Sequence, residues 1–157
     1  MQTSQIPDTV DLDELPGHAI RRLHQIAVAI FLQEAEVLGL TPVQYAVLQA
    51  VANSPGLDQR TLAKSIGLDT STTGGVVDRL EARELLQRSA SPTDRRVRLL
   101  SLTEAGQALL GEAIPAMLRA QERILEPLPP VQRTEFIRML RTLVTANNTL
   151  SRAPSES

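Results

Sequence analysis

The chain has 157 residues, a formal net charge of −2, 42% hydrophobic and 2% aromatic content, and no cysteine. That fits one domain, or one domain elaborated for dimerisation, with a Leu/Val/Ile/Ala core suited to helices on helices, and it excludes disulfides and thiol redox sensing. No apolar run reaches the roughly 20 residues of a membrane span, and Met-Gln-Thr-Ser-Gln lacks a signal-peptide pattern, so a cytoplasmic chain without a membrane partner is expected.

Residues 1–14 are polar, include Pro7 and read as a flexible arm. A long helix is predicted from about Leu15 or His18 to Leu38, with Ile20, Leu23, Ala27, Ile30 and Phe31 at helical spacing and Gly39 ending it. Thr41 and Pro42 supply a cap and a first-turn proline for a helix carrying Val43, Ala46, Val47, Ala50 and Val51 to Asn53. Ser54, Pro55 and Gly56 break it. Asp58 to Gly67 is a short amphipathic helix ended by glycine, and Leu68-Asp69 opens another that runs through Val76, Val77, Leu80 and Leu85.

Leu86 to Ser101 is strand-like at both ends, with a turn and arginines at its tip. Ser101 or Thr103 then caps a helix through Leu109, Leu110, Ile114, Leu118 and Ile124, which Pro115 should bend. Pro127, Pro129 and Pro130 separate it from a last helix, Val131 to about Leu150, carrying Phe136, Ile137, Leu140, Leu143 and Val144. Residues 151–157 read as a flexible tail.

The expected fold is mostly α with a small β-wing. A winged helix-turn-helix over 41–102 sits between N- and C-terminal dimerisation helices, 15–40 and 103–150. Terminal helices cannot bury an apolar stripe alone, so a twofold homodimer is expected, with second helices of the pair about 34–36 Å apart.

Two helices followed by a basic hairpin form a tool for gripping double-stranded DNA. From Asp58 to Arg98 there are eight basic and six acidic residues, so this segment is positive within an acidic chain. Fifteen of the sixteen cations are arginine, which bonds phosphate or guanine bidentately. Asp69 is the expected cap of the second helix. Thr70, Ser71, Thr72 and Thr73 fill its first turn with hydroxyls short enough to reach phosphates or base edges. Alone, such hydroxyls read equally as helix caps and as contacts; after a helix ended by glycine and before a basic hairpin, contact is the better reading. Arg79 and Arg83, further along, are placed to meet backbone or bases.

Gly74-Gly75 is costly inside a helix, about 1 kcal/mol each relative to alanine. Either the backbone comes close to DNA or another helix there, or the helix is soft, or the weakness is simply tolerated. At the hairpin tip Arg95 and Arg96 are exposed, suited to a narrow minor groove. Asp94 repels phosphate, so its expected role is to orient an arginine, with Arg96 the better partner.

At these residues the chain resembles the MarR family of bacterial transcriptional regulators. The resemblance rests on Leu57-Asp-Gln-Arg-Thr-Leu-Ala, Gly67-Leu-Asp-x-Ser-Thr, Asp78-Arg-Leu-Glu and Asp94-Arg-Arg-Val-Arg-Leu-Leu-Ser-Leu-Thr-Glu-Ala-Gly, in order, and extends over about Pro16 to Leu150. It implies a homodimer with six helices and a wing per subunit, a palindromic operator and repression relieved by a small molecule. Ser71, Thr72 and Thr73 then look like groove contacts, with Arg96 in the minor groove and Asp94 behind it. Pro16-Gly-His-x-x-Arg21-Arg22-Leu resembles the branch answering to small aromatic carboxylates, in which an arginine at the position of Arg21 holds the carboxylate, a bidentate match. His18, His24 and Tyr45 are candidates to bond ring substituents. As bland alternatives, Arg21 lies on a solvated face or in a dimer ion pair, and Tyr45 is a core residue with a satisfied hydroxyl.

No nucleophile with its base, no metal set and no phosphate loop is legible, so no enzyme activity and no cofactor is expected. A winged helix that binds protein instead of DNA is the rival reading, and a regulator without a ligand is a third.

Overall fold

A computed structural model describes residues 9–151. In chain order these form α1 (Pro16–Ala35), α2 (Pro42–Asn53), α3 (Gln59–Ile66), α4 (Thr70–Ala82), β1 (Leu86–Ala90), β2 (Arg98–Leu102), α5 (Glu104–Leu125) and α6 (Pro130–Ala146). The mostly helical fold with a small β-wing is as expected from the sequence.

Helix starts follow local chemistry. Pro16, Pro42 and Pro130 occupy first-turn positions, where a missing N–H leaves no bond unmade. Thr41 and Gln44 form a reciprocal capping box, while Asp58 and Asp69 cap α3 and α4. Thr103 caps α5, because Ser101 is committed to β2 opposite Gln87.

Helix ends differ more from expectation. The first helix tightens into a 3-10 turn over Glu36–Leu38 before Gly39 turns left-handed at φ 61°. α4 stops at Ala82 instead of reaching Leu85. Glu84 adopts φ 59°, the Leu85 N–H bonds the Leu80 carbonyl at 3.0 Å, and the Glu84 N–H bonds that of Glu81 at 2.8 Å. This is a Schellman ending with a glutamate where glycine is favoured. α5 continues through Pro115, which lies on its exposed side. α6 ends at Ala146, and a 3-10 turn over Asn148–Leu150 replaces the predicted last turn.

Within the expected arm, Asp11 caps a 3-10 turn over Leu12–Glu14; residues 1–8, like 152–157 of the expected tail, lie outside the described residues.

The core lies where α2, α3, α4 and the wing meet. Val47, Leu48, Leu62, Val77, Leu80, Leu86 and Leu100 are fully buried. β1 and β2 are antiparallel, Leu86 opposite Leu102 and Ala90 opposite Arg98. The chain before α3 adds a third rung: the Leu100 N–H bonds the Leu57 carbonyl, the Gly56 N–H bonds that of Leu100, each at 2.9 Å. α1 packs chiefly on α5. The buried Ala35 of α1 and Ala113, Ala116 and Ala120 of α5 leave little side chain between them. At the other end of α5, a Cβ on Gly106 would stand 2.0 Å from the Leu85 carbonyl oxygen, so glycine is required for the helix to meet the α4–β1 turn.

α6 buries none of its residues. Leu143 and Val144 on it, and Ile20 and Ile26 on α1, are half or more exposed or nearly so. No single described helix is long and apolar enough to cross a membrane.

Candidate nucleic-acid interface

The first turn of α4 is exposed at Thr70, Ser71 and Thr72. Asp69 holds its geometry: one carboxylate oxygen accepts the Thr72 N–H, the other the Thr72 hydroxyl, both at 2.7 Å. Thr73 is a correction. It is fully buried and donates its hydroxyl to the Asp69 carbonyl at 2.9 Å, so it supports the turn from inside and does not reach a groove. Helical periodicity explains the difference: Thr73, Val76, Val77 and Leu80 form the inward stripe of α4, and Arg79 is on its exposed side.

The wing tip is a built turn. The Val97 N–H bonds the Asp94 carbonyl at 3.0 Å and the Ser91 N–H bonds that of Val97 at 3.0 Å, which makes Arg95 and Arg96 the two central residues of a four-residue turn. Both are exposed. Asp94 accepts the Arg96 N–H at 3.0 Å and faces its guanidinium at 3.5 Å, while that side chain stays 93% accessible.

The four effector candidates are not gathered in one place within a protomer. Arg21 donates to His18 Nδ1 at 3.4 Å on the surface of α1, and His24 is exposed further along it. Tyr45 packs in the core against Phe31, ring centres 5.9 Å apart, and burial pushes its hydroxyl above the usual tyrosine range. That hydroxyl donates to Gln49 at 2.8 Å, and Gln49 donates to Asn53 at 2.9 Å. The chain of bonds runs along a 540 Å³ cavity lined by α2, α3 and their connection. Tyr45 is thus a satisfied core residue bordering a cavity apart from Arg21.

The MarR family pattern matches residues 40–97, the segment from α2 through the wing tip. The transcriptional repressor NicR of Pseudomonas putida is 34% identical over 94% of this chain and 98% of its own length. The chain belongs to the MarR family. Among solved MarR-type structures, Bordetella bronchiseptica BpsR, whose DNA binding is regulated by 6-hydroxynicotinic acid, is 34% identical with a TM-score of 0.82, covering 86% of this chain and 96% of BpsR. The repressor CouR bound to a 23-mer DNA duplex is 32% identical with a TM-score of 0.82, covering 89% of this chain and 99% of CouR. This MarR-family chain is a DNA-binding transcriptional regulator with a winged helix-turn-helix.

Three roles in this MarR chain were not legible from the sequence. Arg88 counts there as part of a basic face, but two-residue periodicity puts it on the inner side of the wing with Leu86. Its guanidinium pairs with Asp78 at 2.7 Å and Glu81 at 3.2 Å, and reaches Gln59 at 3.2 Å, joining α4, β1 and α3. Gln59 in turn explains Gly74, where a Cβ would stand 3.0 Å from its amide nitrogen; Gly75 has nothing within 4 Å. Arg83 is the third. It turns away from the expected DNA role and bonds the Gly39 carbonyl at 2.9 Å. Such pairings depend on residues 7 to 44 positions apart, and no local spacing signals them.

Proposed function

We propose that this protein is a homodimeric repressor that binds a palindromic operator and releases it when a small aromatic acid of benzoate, hydroxybenzoate or nicotinate type binds. The exposed, Asp69-capped first turn of α4, followed by the arginine-cornered wing, carries the DNA part of this reading. Thr70, Ser71, Thr72 and Arg79 contact the major groove and its phosphates; Arg96, with Arg95 beside it, enters the flanking minor groove, and Asp94 orients Arg96.

The uncovered apolar residues of α1 and α6 support dimerisation, with α1, α5 and α6 forming the shared part and 41–102 the reading head. Arg21 with His18 supports the acid: an arginine on α1 beside an imidazole offers a carboxylate both charge and a hydrogen bond. The likeness to BpsR supports the same class of ligand. The protein then works in the cytoplasm.

Gel shift on the DNA upstream of its own reading frame, with and without a panel of these acids, tests the reading. Release by one acid supports it in full. A shift that no acid releases removes the effector part, and no shift at low salt with proven dimer removes the DNA part.

A further inference from the structure

Arg83, at the end of α4, donates to the Gly39 carbonyl at 2.9 Å and to the Leu38 carbonyl at 3.4 Å. These oxygens belong to the end of the first helical segment, where Gly39 turns the chain at φ 61°. A helix end presents unpaired carbonyls and the negative pole of its dipole, and a cation there is favourable. Neither α1 nor its 3-10 extension has a basic residue in its last turn. Arg83 supplies that cation from the C-cap of α4. Its planar fork suits two successive carbonyls, and the residue stays exposed, so burial does not account for its placement.

The next residues are held from the other side. The Thr103 hydroxyl donates to the Glu84 carbonyl at 2.6 Å, and its N–H to that of Leu85 at 3.1 Å. The C-terminal end of α4 is therefore fastened to the start of α5 and, through Arg83, to the 3-10 extension that follows α1. Apart from this tie, α1 packs chiefly on α5, and α4 on α3, α2 and β1.

We propose that Arg83 is a positioning residue for DNA recognition: it ties the end of α4 to the 3-10 extension of α1 at Leu38 and Gly39 and so fixes the angle at which the dimerisation helices present the recognition helix. The proposal rests on the homodimeric reading of two half-sites given above. If the tie is stiff, the two α4 helices keep one separation. One base pair inserted between half-sites moves the target by about 3.4 Å and about a tenth of a turn, and binding weakens sharply.

The test starts from the duplex that the full-length wild-type protein selects from a random-sequence library. Its binding, and that of versions with one base pair inserted or deleted at the centre, is measured by fluorescence anisotropy across a salt series. Wild type, Arg83→Ala and Arg83→Lys are compared, with melting curves alongside. Arg83→Ala is expected to lose at least fivefold of the discrimination between spacings, with an unchanged salt slope. Arg83→Lys, able to keep its charge but not the fork, recovers part of it and serves alone if the alanine variant does not fold.

Undiminished discrimination in the folded variants overturns the proposal. So does a salt slope shallower by about 0.9, which makes Arg83 a phosphate contact. Selection of no duplex by the wild-type protein removes the DNA reading and this proposal with it, whereas selection followed by equal discrimination removes Arg83 alone.

Discussion

Asp94 grips Arg96 twice, accepting its backbone N–H at 3.0 Å and facing its Nε at 3.5 Å, yet leaves the side chain almost wholly in solvent. An ion pair this exposed adds little to stability. Its effect is on direction: the arginine is held out from the turn. Arg96→Ala is expected to weaken operator binding about tenfold or more, roughly 1.4 kcal/mol, with a shallower salt slope and an intact dimer. Asp94→Asn, which keeps the turn but drops the ion pair, should weaken binding less. Anisotropy with light scattering checks both, and unchanged affinity in Arg96→Ala would remove the wing from the interface.

On the proposed contacts, the first turn of α4 separates reading from folding within three residues. Ser71→Ala is expected to lower DNA affinity with little change in melting temperature. Thr73→Val is expected to do the reverse, since the Asp69 carbonyl keeps the Thr73 N–H but loses the hydroxyl bond, at about 1 kcal/mol. Thermal melts and binding isotherms on the same two variants decide the assignment.

Glycines at three positions should respond differently to alanine. Gly106→Ala forces a methyl against the Leu85 carbonyl and is expected to destabilise by about 3 kcal/mol or more. Gly75→Ala meets nothing and should stabilise α4 by about 1 kcal/mol. If that gain comes with lost DNA affinity, the groove is what requires a bare backbone at 75. Gly74→Ala lies between, because Gln59 must give way and loosen its bond to Arg88.

Glu34 should set part of the acid limit of the fold. Arg119 and then Arg123 bond its carboxylate at 3.0 and 3.1 Å and hold it below the usual carboxylate range. A carboxyl lowered in the folded state stabilises above its unfolded value, and that contribution disappears as pH falls through the folded one. Glu34→Gln is expected to lower the melting temperature at neutral pH and to flatten its decline in acid. An acid limb identical to wild type would refute the assignment.

Arg21→Ala is expected to bind operator normally and to stop responding to the aromatic acid that releases wild type. Gel shift with that acid checks it, and a normal response would place the carboxylate elsewhere.

Where a local rule decided the outcome, the sequence was readable. Thr41-Pro42, Asp58, Asp69 and Gly39 each act within one turn, and the elements they bound stand where those residues predict. The Asp94–Arg96 pair, two residues apart, belongs to the same class. Misreadings came where a distant partner decides. Leu85 has the apolar spacing of a helix residue, but Thr103 and Gly106 hold the chain that enters β1, and Glu84 takes the left-handed turn. Thr73 and Ser71 are chemically alike, and only the inward stripe of α4 tells them apart. Arg83 and Arg88 are cations that answer backbone carbonyls and carboxylates of the fold itself.

A helix that buries none of its own residues has a consequence for how this regulator is counted. In the homodimer proposed above, the cover for the stripe of α6 comes from another copy, which couples stability to abundance. On that reading the melting temperature should rise with protein concentration. A cell that makes too little of it would then hold single reading heads, each with its own core but without the second half-site grip.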